Sequence, residues 1–355
     1  MKKILSAILV IVMIMSVFCI NVSAEEAVEL TPVEKSALKL RNADADGDGT
    51  YSIADVQLLL KAAAGTGEDK AEYDINSDGY TSVEDALAVL REVTGVKPLL
   101  TDAEALELFN AKLNAVKTDK PAFHGVSRMQ YKSVKITQKM TATNALVGAF
   151  LGDMNYTDLE YDKYVEKMIA TMQNNSNLTE KDKAEMEAMR ESARTYRDPV
   201  VGERTVQANS SYDHLLYFPR ERKSLSSELT LSDIKSITYY MADGIVTFTV
   251  VMSKASYTAS TYPSDLYKTP YGKVFNLVDL NASEDSTLAK GEYLNGKVEL
   301  KLDNDTCTIK SAAYSYDYYS EVKAPTQSMT DAKLGTITID MTTKSSAGVQ
   351  ETFTF

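Results

Sequence analysis

Twelve residues from Asp44 read Asp-Ala-Asp-Gly-Asp-Gly-Thr-Tyr-Ser-Ile-Ala-Asp, and twelve from Asp74 read Asp-Ile-Asn-Ser-Asp-Gly-Tyr-Thr-Ser-Val-Glu-Asp. Both carry oxygen-bearing side chains at positions 1, 3, 5, 9 and 12. In the first stretch these are Asp44, Asp46, Asp48, Ser52 and Asp55; in the second, Asp74, Asn76, Asp78, Ser82 and Asp85. Position 7 adds a backbone carbonyl, from Thr50 and from Tyr80. Calcium is a hard cation that takes about six to eight oxygens, and alternate side chains of a tight loop supply them at this spacing. Gly49 and Gly79 occupy position 6, where the chain turns sharply and a side chain is disfavoured. The spacing predicts two calcium ions, one per loop.

Helices must hold such loops. Each loop runs into an apolar-patterned segment closed by glycine: Val56 to Ala64 before Gly65, and Ala86 to Thr94 before Gly95. Shifted by 30 residues, the two units coincide at positions 1, 5, 6, 9, 12, 17 and 22, and both are basic at position 18. Internal duplication of this kind implies two similar units packed against one another. Upstream, Thr31, Pro32 and Glu34 form a capping-box signature with proline in the first turn, the start of a helix leading into the first loop.

The duplicated loops, the aspartate at position 12, the short helices and an export-type leader together resemble the type I dockerin family, over roughly Leu38 to Pro98. The resemblance implies a small all-α module that holds two calcium ions and plugs into a cohesin domain of a scaffold protein, in a cellulosome or at a cell surface. The family's contact positions fall on Ile53, Ala54, Leu60, Lys61 and Gly65 in the first repeat. In the second they fall on Val83, Glu84, Leu90, Arg91 and Gly95. Leu60 and Leu90 would serve helix packing equally well. Many family members carry small hydroxyl residues at positions 10 and 11, where this chain has Ile-Ala and Val-Glu. Family modules are most often found near a C-terminus, whereas these loops come early, so an ordinary EF-hand pair is the second reading.

The leader is Met1-Lys2-Lys3, an apolar run from Ile4 to Ile20, and Val22-Ser23-Ala24 ahead of two glutamates. This is the pattern of a secretory signal peptide cut after Ala24; a retained anchor is the alternative. The chain thus reads as a signal peptide over 1–24, a calcium-binding module over 25–98 and a further domain over 99–355. The mature protein is expected to be secreted, free of the membrane after cleavage and attached to an extracellular complex. Cys307 is then its one cysteine, so no internal disulfide is possible; it reads as a small buried residue on a strand. Acidic residues outnumber basic ones, 50 to 38, and the excess is concentrated in 25–100, with 16 against 7. That balance argues against a nucleic-acid partner.

After Val96-Lys97-Pro98, Thr101 with Glu104 opens a helix to about Val116. Strand-like sequence follows from Val126 to Lys139, then helices at about Asp158 to Gln173 and Glu180 to Ala193. Beyond Arg220, hairpins are predicted around Ala242-Asp243-Gly244, Asp303-Asn304-Asp305 and Ser345-Ser346-Ala347-Gly348. Helices followed by antiparallel hairpins predict an α+β domain. No catalytic signature stands out, and His124 and His214, the only histidines, are far apart. Tyr314, Tyr316 and Tyr318 alternate, so they share a strand face, read as a half-buried sheet surface or as a platform for a glycan or protein. The domain is accordingly read as cargo of unknown role. The alternatives are a polysaccharide-degrading hydrolase and a carbohydrate- or lipid-binding domain.

Overall fold

The computed structural model describes residues 30–174, 178–196, 198–210, 228–258, 269–274 and 287–355. The predicted leader and His214 lie outside the described residues. Among those described, no helix is long and apolar enough to cross a membrane.

Three 11-residue helices come first: α1 (Pro32–Asn42), α2 (Ile53–Ala63) and α3 (Val83–Val93). Each begins with a complete capping box, Thr31 with Glu34, Ser52 with Asp55 and Ser82 with Asp85. A cap of this kind is worth about 1 kcal/mol. It also explains why α2 and α3 start three residues before their apolar pattern: serine at position 9 of each loop accepts from the first-turn amides. Helix α4 (Asp102–Asp119) starts the same way, with Thr101 and Glu104.

Strand β1 (Phe123–Ala142) follows, then α5 (Ala145–Gly152), β2 (Tyr156–Glu160), α6 (Tyr161–Gln173), α7 (Glu180–Thr195) and β3 (Val200–Val206). Next come β4 (Ile234–Ala242), β5 (Ile245–Met252), β6 (Ala255–Tyr257) and the short α8 (Pro270–Val274). The chain continues through β7 (Thr287–Asp303), β8 (Ile309–Lys323), β9 (Gln327–Asp331) and β10 (Gly335–Thr354). One open sheet of ten strands results, in the order β2-β1-β10-β8-β7-β5-β4, with β3, β6 and β9 added on β1, β7 and β10. Every pairing is antiparallel. The class is α+β, as the sequence predicts.

Three local expectations change. The helix predicted from Asp158 starts at Tyr161, because Tyr156–Glu160 pairs with β1 as a strand. The hairpin predicted at Ser345-Ser346-Ala347-Gly348 is the middle of the continuous strand β10. There β10 is flanked by β1 and β8, which take up its backbone groups, while Ser345 bonds Ser320 and Ser346 bonds Ser133, each at 2.8 Å. Cys307 sits in the β7–β8 turn at φ 53°, half-buried against the core, rather than on a strand. The Asp243-Gly244 turn does form, with φ of 53° and 71°, the left-handed pair that a two-residue hairpin needs.

Helices α4, α6 and α7 pack on one face of the sheet. Phe109 and Leu113 of α4 join Phe248, Leu300, Tyr314 and Phe353 in the main core, while α6 and α7 bury Ile169 and Met186 over Ile136. Of the tyrosine row, Tyr314 and Tyr316 are buried in that core and Tyr318 is half-buried. Glu351 is buried too; it pairs with Arg204 and accepts from Tyr314 at 2.7 Å.

At the far end of the core, Asp303 closes the β7–β8 turn by accepting from the Thr306 amide and hydroxyl, with Lys310 at 3.2 Å. The Thr306 amide bond, more than the Lys310 charge, lowers its carboxyl to about 2. A depressed carboxyl contributes stability that is fully present above its unfolded value, about 3.9, and is lost as pH falls through the folded one. Asp303→Asn should therefore flatten the stability–pH curve between about 4 and 2, and NMR titration of the parent should place this carboxyl near the bottom of that window. An ordinary titration would show that the turn is held otherwise.

Candidate metal centre

In the first loop, Asp44 Oδ2 accepts from the Gly49 amide at 3.0 Å, Asp46 Oδ1 from the Asp48 amide at 3.0 Å, and Asp48 Oδ1 from the Thr50 amide at 2.9 Å. The chain is thereby wound so that Asp44, Asp46 and Asp48 each offer an oxygen within 4.8 Å of the others. The second loop repeats the winding. Asp74 Oδ2 accepts from Gly79, Asn76 Oδ1 from Asp78, and Asp78 Oδ1 from Tyr80, at 2.8, 2.9 and 3.0 Å. Gly49 and Gly79 hold φ of 86° and 96°, which side chains rarely adopt.

Position 12 does two jobs. Asp55 and Asp85 are fully buried. Each caps its own helix by accepting from the Ser52 or Ser82 amide, at 2.7 and 2.8 Å. Each also draws the start of its loop inward: Asp55 accepts from the Asp46 amide, and Asp85 from those of Ile75 and Asn76. The second carboxylate takes a further bond from the Ser82 hydroxyl. A carboxylate has about four acceptor positions. Asp85 fills them with four donors, whereas Asp55 has two.

The first loop carries a further deficit. Asp44 Oδ1 is buried without a hydrogen-bond partner. Burial first, and then repulsion from Asp55, Asp48 and Asp46, raise the Asp44 carboxyl above its ordinary value, against the pull of the Gly49 amide. An orphaned buried oxygen facing like charges is the environment that a cation relieves. Asp44, Asp46 and Asp48 fit such an ion, and the Thr50 carbonyl, Ser52 and Asp55 are the further positions that the loop spacing predicts for it. In the second loop the predicted positions are Asp74, Asn76, Asp78, the Tyr80 carbonyl, Ser82 and Asp85; there Asp85 is already served by four donors, and among the described residues only the first loop gathers three carboxylates.

The loops differ in their surroundings. The Gly49 carbonyl accepts from the Gly244 amide of the β4–β5 turn at 2.9 Å, and the Gly244 carbonyl accepts from Asn304 at 2.9 Å. Nothing lies within 4 Å of a Cβ built on Gly79, whereas one on Gly49 would meet the Gly244 nitrogen at 2.5 Å. Leu40 of α1 belongs to the sheet's core, and Lys39 pairs with Glu104 at 2.6 Å. Tyr239 of β4 donates to Glu92 of α3 and accepts from the Leu100 amide. Contacts thus cross the predicted boundary at residue 98, and the first loop rests directly on the sheet.

The residues at the resemblance's contact positions are mostly on the surface. Ile53 and Val83 are 48% and 60% exposed, and Ala54, Lys61, Glu84 and Arg91 are exposed as well. Leu60 and Leu90 part company: Leu60 is 43% exposed, while Leu90 packs partly against the inter-repeat core of Val56, Leu59, Ala86 and Val89. Sequence reasoning missed the Gly49–Gly244 joint; the sequence signal nearest to it is the Asp243-Gly244 turn. His124 is exposed and lies 3.2 Å from Glu203, away from these loops in sequence.

Calorimetric titration should count two ions on the parent, one on Asp44→Ala and one on Asp74→Ala. Because the first loop is less satisfied and is seated on the sheet, Asp44→Ala should lower the melting temperature of the whole chain more than Asp74→Ala. Equal effects would mean that the seat carries no load. Gly49→Ala and Gly79→Ala share the φ penalty, but only the first adds a backbone collision, so Gly49→Ala should cost several degrees more. No family model matches the chain, and no curated protein or solved structure matches it either.

Proposed function

We propose that residues 25–98 form a calcium-dependent docking module of the type I dockerin kind, which fixes an exported α+β domain to a cohesin-bearing scaffold. The observation that carries this reading is the exposure of apolar side chains at equivalent places in both repeats. Ile53 and Val83, at position 10 of their loops, stand outward at 48% and 60% exposure, whereas Ala45, Tyr51 and Ile75 of the same loops pack against the inter-repeat core. An ordinary calcium buffer has no use for such a pair, whereas a partner surface does. Two ions, one per loop, hold each side chain at the loop–helix corner.

Calcium binding is coupled to the order of the loops, since binding specific to the folded state adds its free energy to folding; an ion at about 1,000 times its Kd contributes about 4 kcal/mol. The sheet domain is the cargo. Its helices cover one face, and its role is separate from docking.

Covering an exposed Ile or Val at an interface is worth about 1.5–3 kcal/mol, and 1.4 kcal/mol is about a tenfold change in affinity. Ile53→Asp with Val83→Asp should therefore weaken calcium-loaded binding to a cohesin by well over tenfold while calorimetry still counts two ions. The single changes should differ from each other, because Ala54 stands beside Ile53 and Glu84 beside Val83. A chain that takes up two ions yet retains no cohesin from a panel of classes would be an ordinary EF-hand pair.

A further inference from the structure

The sheet face turned away from the helices carries a groove of about 430 Å³ across β1, β10, β8 and β7. Strand register sets its floor. In one row Arg128 stands opposite Gln350, and Gln350 opposite Ser315; in the next, Gln130 stands opposite Gly348, and Gly348 opposite Asp317. Tyr314, Tyr316 and Val349 alternate with these residues and are buried on the helix side, so packing beneath holds the polar set outward.

Two β-bulges bracket the groove. Along β1 the pairing steps from Tyr131–Ala347 to Ser133–Ser346, which leaves Lys132 as the extra residue. Along β7 it steps from Leu294–Asp317 to Lys297–Ser315, with Asn295 and Gly296 facing the single Tyr316. Each bulge aims a side chain at Asp317. Lys132 Nζ lies 2.5 Å from Oδ1, and Asn295 Nδ2 lies 2.9 Å from Oδ2. Asn295 reaches it from a φ of 54°. A bulge re-aims a side chain, and here two at one level turn Lys132 and Asn295 onto the same carboxylate. Gly348 keeps the floor open: a Cβ there would stand 3.3 Å from Lys132 Cε and 3.5 Å from Asp317 Oδ1.

Lys132 and Asp317 neutralise one another. The side chains of Arg128, Gln130, Ser315 and Gln350 make no hydrogen bond or ion pair among the described residues, and the unpaired Arg128 is a positive charge on a chain of net charge -12. We propose that this groove binds an acidic oligosaccharide, a short chain of linked uronates. Arg128 takes a carboxylate through its planar fork, and the two amides and the hydroxyl take ring hydroxyls. Four strands span about 14 Å, the length of a few linked pyranose rings, whereas a lone small anion would engage Arg128 and leave the rest of the row unused. The inference does not depend on the calcium loops.

The test is calorimetry on the full chain, with the loops calcium-saturated, using trigalacturonate, the monomeric uronate and a neutral trisaccharide. Trigalacturonate should saturate one site, with the monomer and the neutral sugar each at least tenfold weaker. Arg128→Ala and Gly348→Val, the latter filling the floor against a flexible lysine end, should each weaken it at least tenfold with an unchanged melting curve. Lys183→Ala, on the exposed surface of α7 and outside the groove, should leave it unchanged. The proposal is overturned by an absence of saturable binding, by equal binding of acidic and neutral trimers, by a monomer as tight as the trimer, or by folded variants that bind like the parent.

Discussion

Two carboxylates without exposed surface, Asp55 and Asp85, organise the first part of the described chain, up to residue 98. Each is at once the third helical residue of a capping box and the last residue of an acidic loop. Burying a carboxylate costs several kcal/mol unless hydrogen bonds or a counter-charge compensate. The amides of the loop and the serine cap supply that compensation, and in doing so they tie loop and helix into one unit. Asp85 is fully served by four donors. Asp55 has two and stands among Asp44, Asp46 and Asp48, so the first loop holds more uncompensated negative charge than the second.

The less satisfied loop is also the one that touches the sheet. The Gly49 carbonyl, at the sharpest point of the turn, receives the Gly244 amide, and the hairpin carrying Gly244 is bound in turn to Asn304. Leu40 and Tyr239 extend the contact on either side, one inside the shared core and one bridging Glu92 to Leu100. Whatever fixes the conformation of the first loop therefore also fixes its seat on β4 and β5. The second loop, with open space around Gly79, is free of that constraint. A near-symmetric duplication is thus made unequal by its neighbour.

The sheet solves a different problem. A strand of 20 residues that alternates strictly would keep one set of side chains inward over its whole length. In β1 the extra residue Lys132 resets the alternation, so that Phe123 and Met129 before it and Val134 and Ile136 after it all face the helices. The same bulge places a lysine over Asp317 on the opposite face. One insertion thus sets how β1 packs under the helices and, together with the β7 bulge, the shape of the polar face.

The sequence by itself determined the two acidic loops, the glycines that turn them, the serine-capped helices and the Asp243-Gly244 hairpin. Each rests on chemistry within a dozen residues, where capping and turn preference are decided locally. It also determined the α+β class, through helices preceding antiparallel hairpins. Tertiary structure alone decided the rest. Ser345 to Gly348 read as a turn because small polar residues favour turns, yet strands on both sides claim their backbone and make them the centre of β10. Cys307 lost its strand because Asp303 and Thr308 close a tight turn around it. Leu60 and Leu90, equivalent in sequence, were separated by which one meets the inter-repeat core. The Gly49–Gly244 joint and the groove over Gly348 unite residues nearly two hundred positions apart or more, and no local pattern encodes a contact set by how sheet and helices stack.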